Sequence, residues 1–307
     1  MARFVLERLS GAILTLVMVS IAVVVLLAIA PGDPVLLMLM GRDATPDAIA
    51  RLRHELGLDR PLHVQYLSFV GGLLRGDLGQ SWQNGDPVTL ELARVYPATL
   101  RLSLWALGLS TLVGVGLGII AALRPYTLTD TVARATVLLG VSVPIFWLAL
   151  MLILVFSVRL HWLPSSGRGT WQHLVLPATA LATYSVAIIA RMTRASFLEV
   201  LHQDYVRTAR AKGLAGRTVV LRHALQNALI PIVTVLGLQL GYLLGGAVVT
   251  ETVFAYPGLG WLMLNAIASR DYPVVRAVVL AMAAIFVLVN AGVDLLYAYL
   301  DPRIRYA

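Results

Sequence analysis

Six stretches of this sequence stay apolar for close to twenty residues, enough for a helix rising 1.5 Å per residue to cross a hydrocarbon core of about 30 Å. They run from Leu9 to Ala30, Leu102 to Leu123, Ala135 to Val158, Leu174 to Ala190, Leu229 to Thr250 and Val274 to Leu300. Hydrophobic residues make up 59% of the 307 and charged ones 13%. A globule with so little polar surface cannot face water all round, so the exterior is read as facing lipid, and disorder, collagen and a charged solenoid are excluded. In lipid the backbone must satisfy itself, and stretches of this length do so as helices. The sequence therefore predicts an all-α polytopic membrane protein with six transmembrane helices.

The first stretch also resembles a secretory signal, with Arg3 and Arg8 ahead of it and Ala28-Ile29-Ala30 as a cleavage-like site. Its apolar run exceeds the usual signal core of about 7–15 residues, which favours a retained helix. An even number of spans puts both termini on one side. Thirteen of the 24 basic residues fall in the inner segments and termini if that side is the cytoplasm, so both termini are expected there. This charge is assigned to cytoplasmic loops rather than to nucleic acid. Cysteine is absent, and Lys212, the one lysine, is not followed by Ser or Thr, so the chain holds no phosphate-binding Gly-Lys-Ser/Thr loop.

Three parts are expected: residues 1–30 with the first span, an external helical loop over 31–97, and a core over 98–307 that contains a cytoplasmic loop, 191–228. In the external loop Thr45-Pro46-Asp47 starts a helix that Gly57 ends, a second begins near Asp59, and Asp86-Pro87 starts a third. These amphipathic helices would lie on the outer mouth, on a partner, or on the membrane interface as a plain cover. In the inner loop Asp204 is read as the cap of a helix over Tyr205–Lys212, with Val206 and Ala209 on a small apolar face beside Arg207 and Arg210. Gly213 supplies the left-handed residue that stops it, and a second helical run over Thr218–Asn227 leads into the fifth span. This is either a docking knob or a basic loop serving topology alone.

At these residues the chain resembles the permease subunits of binding-protein-dependent ABC importers of the peptide and nickel group. The matching stretch is Asp204-Tyr205-Val206-Arg207-Thr208-Ala209-Arg210-Ala211-Lys212-Gly213, followed by Arg222-His223-Ala224-Leu225-Gln226-Asn227-Ala228-Leu229-Ile230-Pro231. Pro31-Gly32-Asp33-Pro34 and Glu251-Thr252-Val253-Phe254-Ala255-Tyr256-Pro257-Gly258-Leu259-Gly260 match as well. The chain looks most like the first permease of dipeptide, oligopeptide and glutathione importers. Arg207 stands where the family's motif has Glu, Thr208 where it has Ala, and Gln226 at a later Pro position. The resemblance implies a type I importer permease fold and half of a pathway for peptides or related small solutes, with glutathione and nickel chelates open. It further implies a second homologous permease, an external binding protein, and two ATPase subunits, which would carry the ATP and magnesium; no cofactor is expected on this chain. The ATPase-coupling residues it implies are Asp204, Tyr205, Arg207, Ala209, Arg210, Lys212 and Gly213.

Gly237, Gly241 and Gly245 recur every four residues and are read as one groove on the fifth helix, for packing or for lining a path. Gln239 and Tyr242 sit on other faces; a mid-span Gln should meet protein or water, as an interhelical hydrogen bond or a pathway group. Asp294 is read as a structural cap or ion pair with Arg303 or Arg305, or as a proton-coupling group. Glu251, Phe254, Pro257 and Gly258 form an outer gate by resemblance, or a tight turn in an aromatic interfacial belt. The six histidines show no metal-ligand spacing, and no Gly-x-Ser-x-Gly elbow marks a hydrolase. A stand-alone ion-coupled transporter or channel and a polytopic membrane enzyme are the competing functions.

Overall fold

The computed structural model describes residues 2–39 and 45–300. In chain order its helices are α1 (Ala2–Ile29), α2 (Pro34–Met38), α3 (Pro46–Glu55), α4 (Leu62–Leu74), α5 (Val88–Leu123), α6 (Leu128–Ser142) and α7 (Ile145–Leu152). There follow α8 (Gln172–Leu201), α9 (Asp204–Ala211), α10 (Gly216–Thr218), α11 (Leu225–Val253), α12 (Leu259–Ala268) and α13 (Tyr272–Leu300). Wider π-helical turns continue α7 over Ile153–Arg159 and join α10 to α11 over Val219–Ala224. No strand occurs among the described residues. Among the described residues four continuous helices are long and apolar enough to span a membrane, and two bent pairs raise the number to six when each pair is one span.

Two compact units divide the chain, Met1–Thr99 with Pro257–Val287, and Leu100–Tyr256 with Leu288–Ala307. In the first unit, side chains of α1 such as Ile13 and Ile29 are 62% and 72% exposed, as lipid-facing residues should be. The Pro31-Gly32-Asp33-Pro34 block is a helix start. Asp33 Oδ1 accepts the Val35 N–H at 2.9 Å and Pro34 opens α2. Gly32, at φ +97°, lies against the Arg270 guanidinium, and a Cβ there would sit 2.5 Å from Nη2. Arg53 on α3 binds the other Asp33 oxygen, tying α3 to α2. The Thr45 cap forms as expected, its Oγ1 accepting from the Ala48 N–H at 3.3 Å. The stripe on α4 is only partly covered: Tyr66 shares a hydrogen bond with Ser20 of α1, and no residue of α3 or α4 is fully buried.

Two expectations need correction. Asp86-Pro87 does punctuate a helix start, but the helix that follows is not a separate loop helix, because α5 runs unbroken for 36 residues from Val88. No glycine interrupts it before Gly108, and Pro97 does not stop it, so the loop helix and the second span are one element. The third span is not one straight helix: α6 and the α7 segment meet at 102°. Pro144 forces Val143 out of the helical region to φ −83°, ψ 124°, and the unbroken apolar run across this point hid the break. A milder bend of 55°, next to Pro231, divides the fifth span.

In the second unit α8 is the central helix, 56% buried over its membrane window, and packs along α11, α6 and α7. It continues past Ala190 to Leu201, so Arg191 and Arg194 stand on the helix and not in a loop; no glycine or proline between them and Leu201 could end it. Gly114 and Gly118 on α5 bring this helix against α8. A Cβ at Gly118 would lie 2.5 Å from Thr193 Cβ and 2.7 Å from the Ala190 carbonyl oxygen, whereas one at Gly116 would meet nothing within 4 Å.

Gly118→Val should therefore lower stability by about 1–3 kcal/mol through overpacking, while Gly116→Ala, on the same helix, should be neutral or stabilising by up to about 1 kcal/mol. Thermal unfolding of the purified proteins in one detergent compares them, and equal midpoints for both variants would contradict the helix approach.

Candidate functional site

The second unit is fastened at one end of α8 by a buried ion pair. Asp130, on the first turn of α6, is fully buried, and Arg194 of α8 grips it with two parallel bonds, Nε to Oδ1 and Nη2 to Oδ2, each 2.8 Å. Arg134, one turn along α6, lies 3.4 Å from Oδ1, and the Tyr126 N–H donates to Oδ2 at 3.0 Å. A carboxylate removed from water is retained only when its lone pairs are taken up in this way. Arg134 and Arg194 are among the thirteen basic residues that set the predicted topology, and the sequence alone assigns Asp130 no role. The available signal was the four-residue Asp130 to Arg134 spacing at a helix start; the Arg194 partner, 64 residues away, had none.

Just beyond α8 lies α9, the helix of the expected coupling motif. Val206 and Ala209 are buried, at 0% and 6% exposure, and pack on Val219, Val200 and Leu201 of the same chain. The opposite face is open: Asp204, Tyr205, Arg207, Arg210, Lys212 and Gly213 are all exposed. Asp204 is not the cap. Gln203 holds the extended cap conformation, φ −72° and ψ 148°, and makes no side-chain cap bond. Asp204 is the first helical residue, where an acid still favours the exposed N–H groups, and its carboxylate lies 3.8 Å from Arg207 Nη1. At the other end Lys212 closes the helix and Gly213, at φ +76°, reverses the chain. The Gly213 N–H reaches the Arg210 carbonyl at 2.9 Å and the Leu214 N–H reaches that of Ala209 at 3.4 Å, a paired closure that needs the left-handed residue between.

Within the membrane portion, the Ser185 hydroxyl donates to Gln239 Oε1 at 2.8 Å, both side chains being buried between α8 and α11. Tyr184, one residue before Ser185, has its ring 4.7 Å from that of Tyr242, which is half exposed. The glycine row does not act as one groove. A Cβ at Gly237 would come 2.2 Å from a Val293 methyl, Gly241 is buried, and Gly245 is exposed with nothing within 4 Å. Four-residue spacing keeps the three on one face, but neighbouring structure covers only part of it. The side chain of Asp294 and residues Arg303 and Arg305, paired in the sequence reading, lie outside the described residues.

At the far end of α11, Phe254 caps the helix and Ala255 takes the left-handed φ of 43°, so that the Tyr256 N–H reaches the Glu251 carbonyl at 2.8 Å. Glu251, Phe254 and Tyr256 are buried, and the Gly167 N–H donates to the Phe254 carbonyl at 3.1 Å. An aromatic belt at the membrane surface therefore does not describe Phe254 or Tyr256, which are 2% and 1% exposed. Burial also pushes the Tyr256 phenol above its ordinary pKa. Pro257 and Gly258 open the return segment of the first unit, where Gly258 caps α12 and the Leu259 N–H donates to Thr99 Oγ1 at 2.8 Å. Asp271, also missed in the sequence reading, is buried there; it accepts from the Ser81 hydroxyl and the Gln83 and Val274 N–H groups.

The sequence matches the family described as "binding-protein-dependent transport system inner membrane component" over residues 114–306, and the corresponding N-terminal family over residues 1–103. It is 44% identical over 306 residues to the glutathione transport system permease protein GsiC of Salmonella choleraesuis, covering all of both chains. It is 45% identical over 334 residues to the di/tripeptide transport system permease protein DppB of Pseudomonas aeruginosa, covering all of this chain and 99% of that one. Among solved structures, the MetNI methionine ABC transporter in inward-facing conformations matches with a TM-score of 0.59 at 21% identity, over 68% of this chain and 96% of that one. That likeness shows the fold.

Removing one partner of the buried pair, Asp130→Asn or Arg194→Leu, should cost about 3–5 kcal/mol, and Arg194→Lys should not restore the two-bond geometry. Thermal unfolding in detergent measures both, and unchanged midpoints would contradict the pair's role in joining α6 to α8.

Proposed function

Because the chain belongs to the binding-protein-dependent inner-membrane permease family, we propose that it forms one half of the translocation pathway of a peptide-type ABC importer, alongside a second homologous permease. Its external loop would receive a substrate-loaded binding protein, and both termini would lie in the cytoplasm, as the arginine distribution favours. Two separate ATPase subunits would bind ATP and magnesium, this chain having no phosphate-binding loop. Short peptides are the proposed substrate class, since the relatives named for glutathione and for di/tripeptide transport align with this chain from end to end.

The observation that carries the reading is the division of α9 into two faces. Val206 and Ala209 anchor the helix to its own chain, leaving Tyr205, Arg207, Arg210 and Lys212 turned away from it. A short helix held this way transmits force: a partner pressing on the outer face moves Val200 and Leu201, and with them the end of α8. Ala209 thus serves by its small size against Val219, and Gly213 by ending the helix. The pathway groups would lie along α8 and α11, near Gln239 and Tyr242, with Glu251 and Phe254 closing its outer end and Pro257 and Gly258 leading away from it. Closure driven by ATP would shift the equilibrium between inward- and outward-open forms.

Proline cannot adopt the positive φ of Gly213, so Gly213→Pro should distort the end of α9. In proteoliposomes containing both permeases, the ATPases and the binding protein, peptide uptake should fall at least tenfold while ATP hydrolysis persists without its dependence on the binding protein. Fully coupled uptake in this variant would contradict the docking role. Uptake by this chain alone under an ion gradient would replace the importer reading with a secondary transporter.

A further inference from the structure

In the first unit Arg276 stands near the start of α13, on a segment of membrane-spanning length, and no carboxylate pairs with it among the described residues. Its Nε donates to the Tyr272 carbonyl at 3.3 Å, and its guanidinium carbon lies 5.3 Å from the centre of the Phe69 ring. No hydrogen bond from its two terminal nitrogens is found among the described residues. Asp271, the nearest acid along the chain, attracts Arg276 through space without an ion-pair contact, its oxygens being taken up by the Ser81 hydroxyl and the Gln83 and Val274 N–H groups. An arginine in a membrane segment is costly unless it faces protein or water, and such residues mark ligand or ion paths. Arg276 does face open space, for it lines two cavities, of about 280 Å³ and about 640 Å³.

The larger cavity is of a size that holds small-molecule ligands. Phe69 and Trp82 supply apolar wall, Gln65 and Ser68 supply neutral polar groups, Glu55 and Asp77 bring negative charge, and Arg60 is a second cation on the same cavity. The Phe69 ring occupies one side of the guanidinium, while the terminal N–H groups have the fork geometry that suits a carboxylate. We infer that this cavity is a binding site for a short zwitterionic peptide, with Arg276 holding its terminal carboxylate and Glu55 or Asp77 facing its ammonium group. The inference rests on the peptide-importer reading and gives this chain a substrate contact of its own, apart from the binding protein. The smaller cavity is bounded by Val24, Leu27 and Ala28 of α1 and by the Asp33–Arg53 pair, and an anionic lipid headgroup there is the competing occupant that the test separates.

The test uses the complete transporter in lipid nanodiscs without binding protein, with L-alanyl-L-alanine and its C-terminal amide as probes, followed by saturation-transfer NMR. The dipeptide should bind at least tenfold more tightly than the amide, as expected when a charged hydrogen-bonded pair is lost. Arg276→Gln should remove that difference, and Arg276→Lys should restore part of it. Equal binding of acid and amide by the unaltered transporter would overturn the inference without needing any variant. So would an Arg276→Gln protein that keeps the difference, or a signal governed by the phosphatidylglycerol content of the nanodisc and indifferent to the amide. Peptide uptake by the unaltered transporter with its binding protein is measured in parallel. Uptake without discrimination by Arg276 rejects this site alone, whereas absence of uptake rejects the importer reading.

Discussion

A carboxylate sealed from water must be matched charge for charge, and in this protein the match between Asp130 and Arg194 determines where the helices of the second unit can sit. Asp130 reaches full burial because Arg194 offers two donors at 2.8 Å and the Tyr126 N–H a third at 3.0 Å. Such a pair supplies direction more than stability. It gains little over a well-packed apolar pair, but a misplaced α6 would leave an uncompensated charge in the interior. The position of α8 along α6 is thereby fixed, and other contacts radiate from α8. Ala190 and Thr193 meet the glycine face of α5, Ser185 reaches Gln239 on α11, and Val200 and Leu201 receive α9.

This arrangement gives the short α9 helix its mechanical meaning. Eight residues would be marginal as an isolated helix. Here the helix is held by Val206 and Ala209 at one face and closed by the left-handed Gly213 at its end. The helix thus has two faces: apolar residues secure it to α8 and the following π-helical turn, and the polar face is exposed. In the proposed importer the partner on that face would be an ATPase subunit, and a push on the outer face of α9 would pass through Val206 and Ala209 to Val200 and Leu201 at the end of α8.

Features set by neighbours in the chain could be read from the sequence, and features set by distant contacts could not. The Thr45 cap, the Gly213 stop and the small inward face of α9 follow from local rules, and the structure has each of them. The 102° break was written at Pro144 but masked by apolar residues on both sides. Gln203 replaces Asp204 as the cap because backbone conformation, not side-chain preference, chose the position. Asp130 needed a partner 64 residues away, and the unequal covering of Gly237 and Gly245 depends on where Val293 lies. Substrate chemistry was least legible of all, since no motif in the sequence specifies it.

In the proposed importer α9 is bound to its own chain by one face and to an ATPase subunit by the other. The absence of cysteine makes this directly measurable, since any introduced thiol is unique in this chain. Single variants Tyr205→Cys and Val206→Cys, each in the complete transporter, would be treated with a short bifunctional thiol-to-amine cross-linker. The account predicts that position 205 joins to the ATPase subunit and position 206 does not. Cross-linking from position 206 with none from position 205 would show that the helix presents the opposite face, and would contradict it.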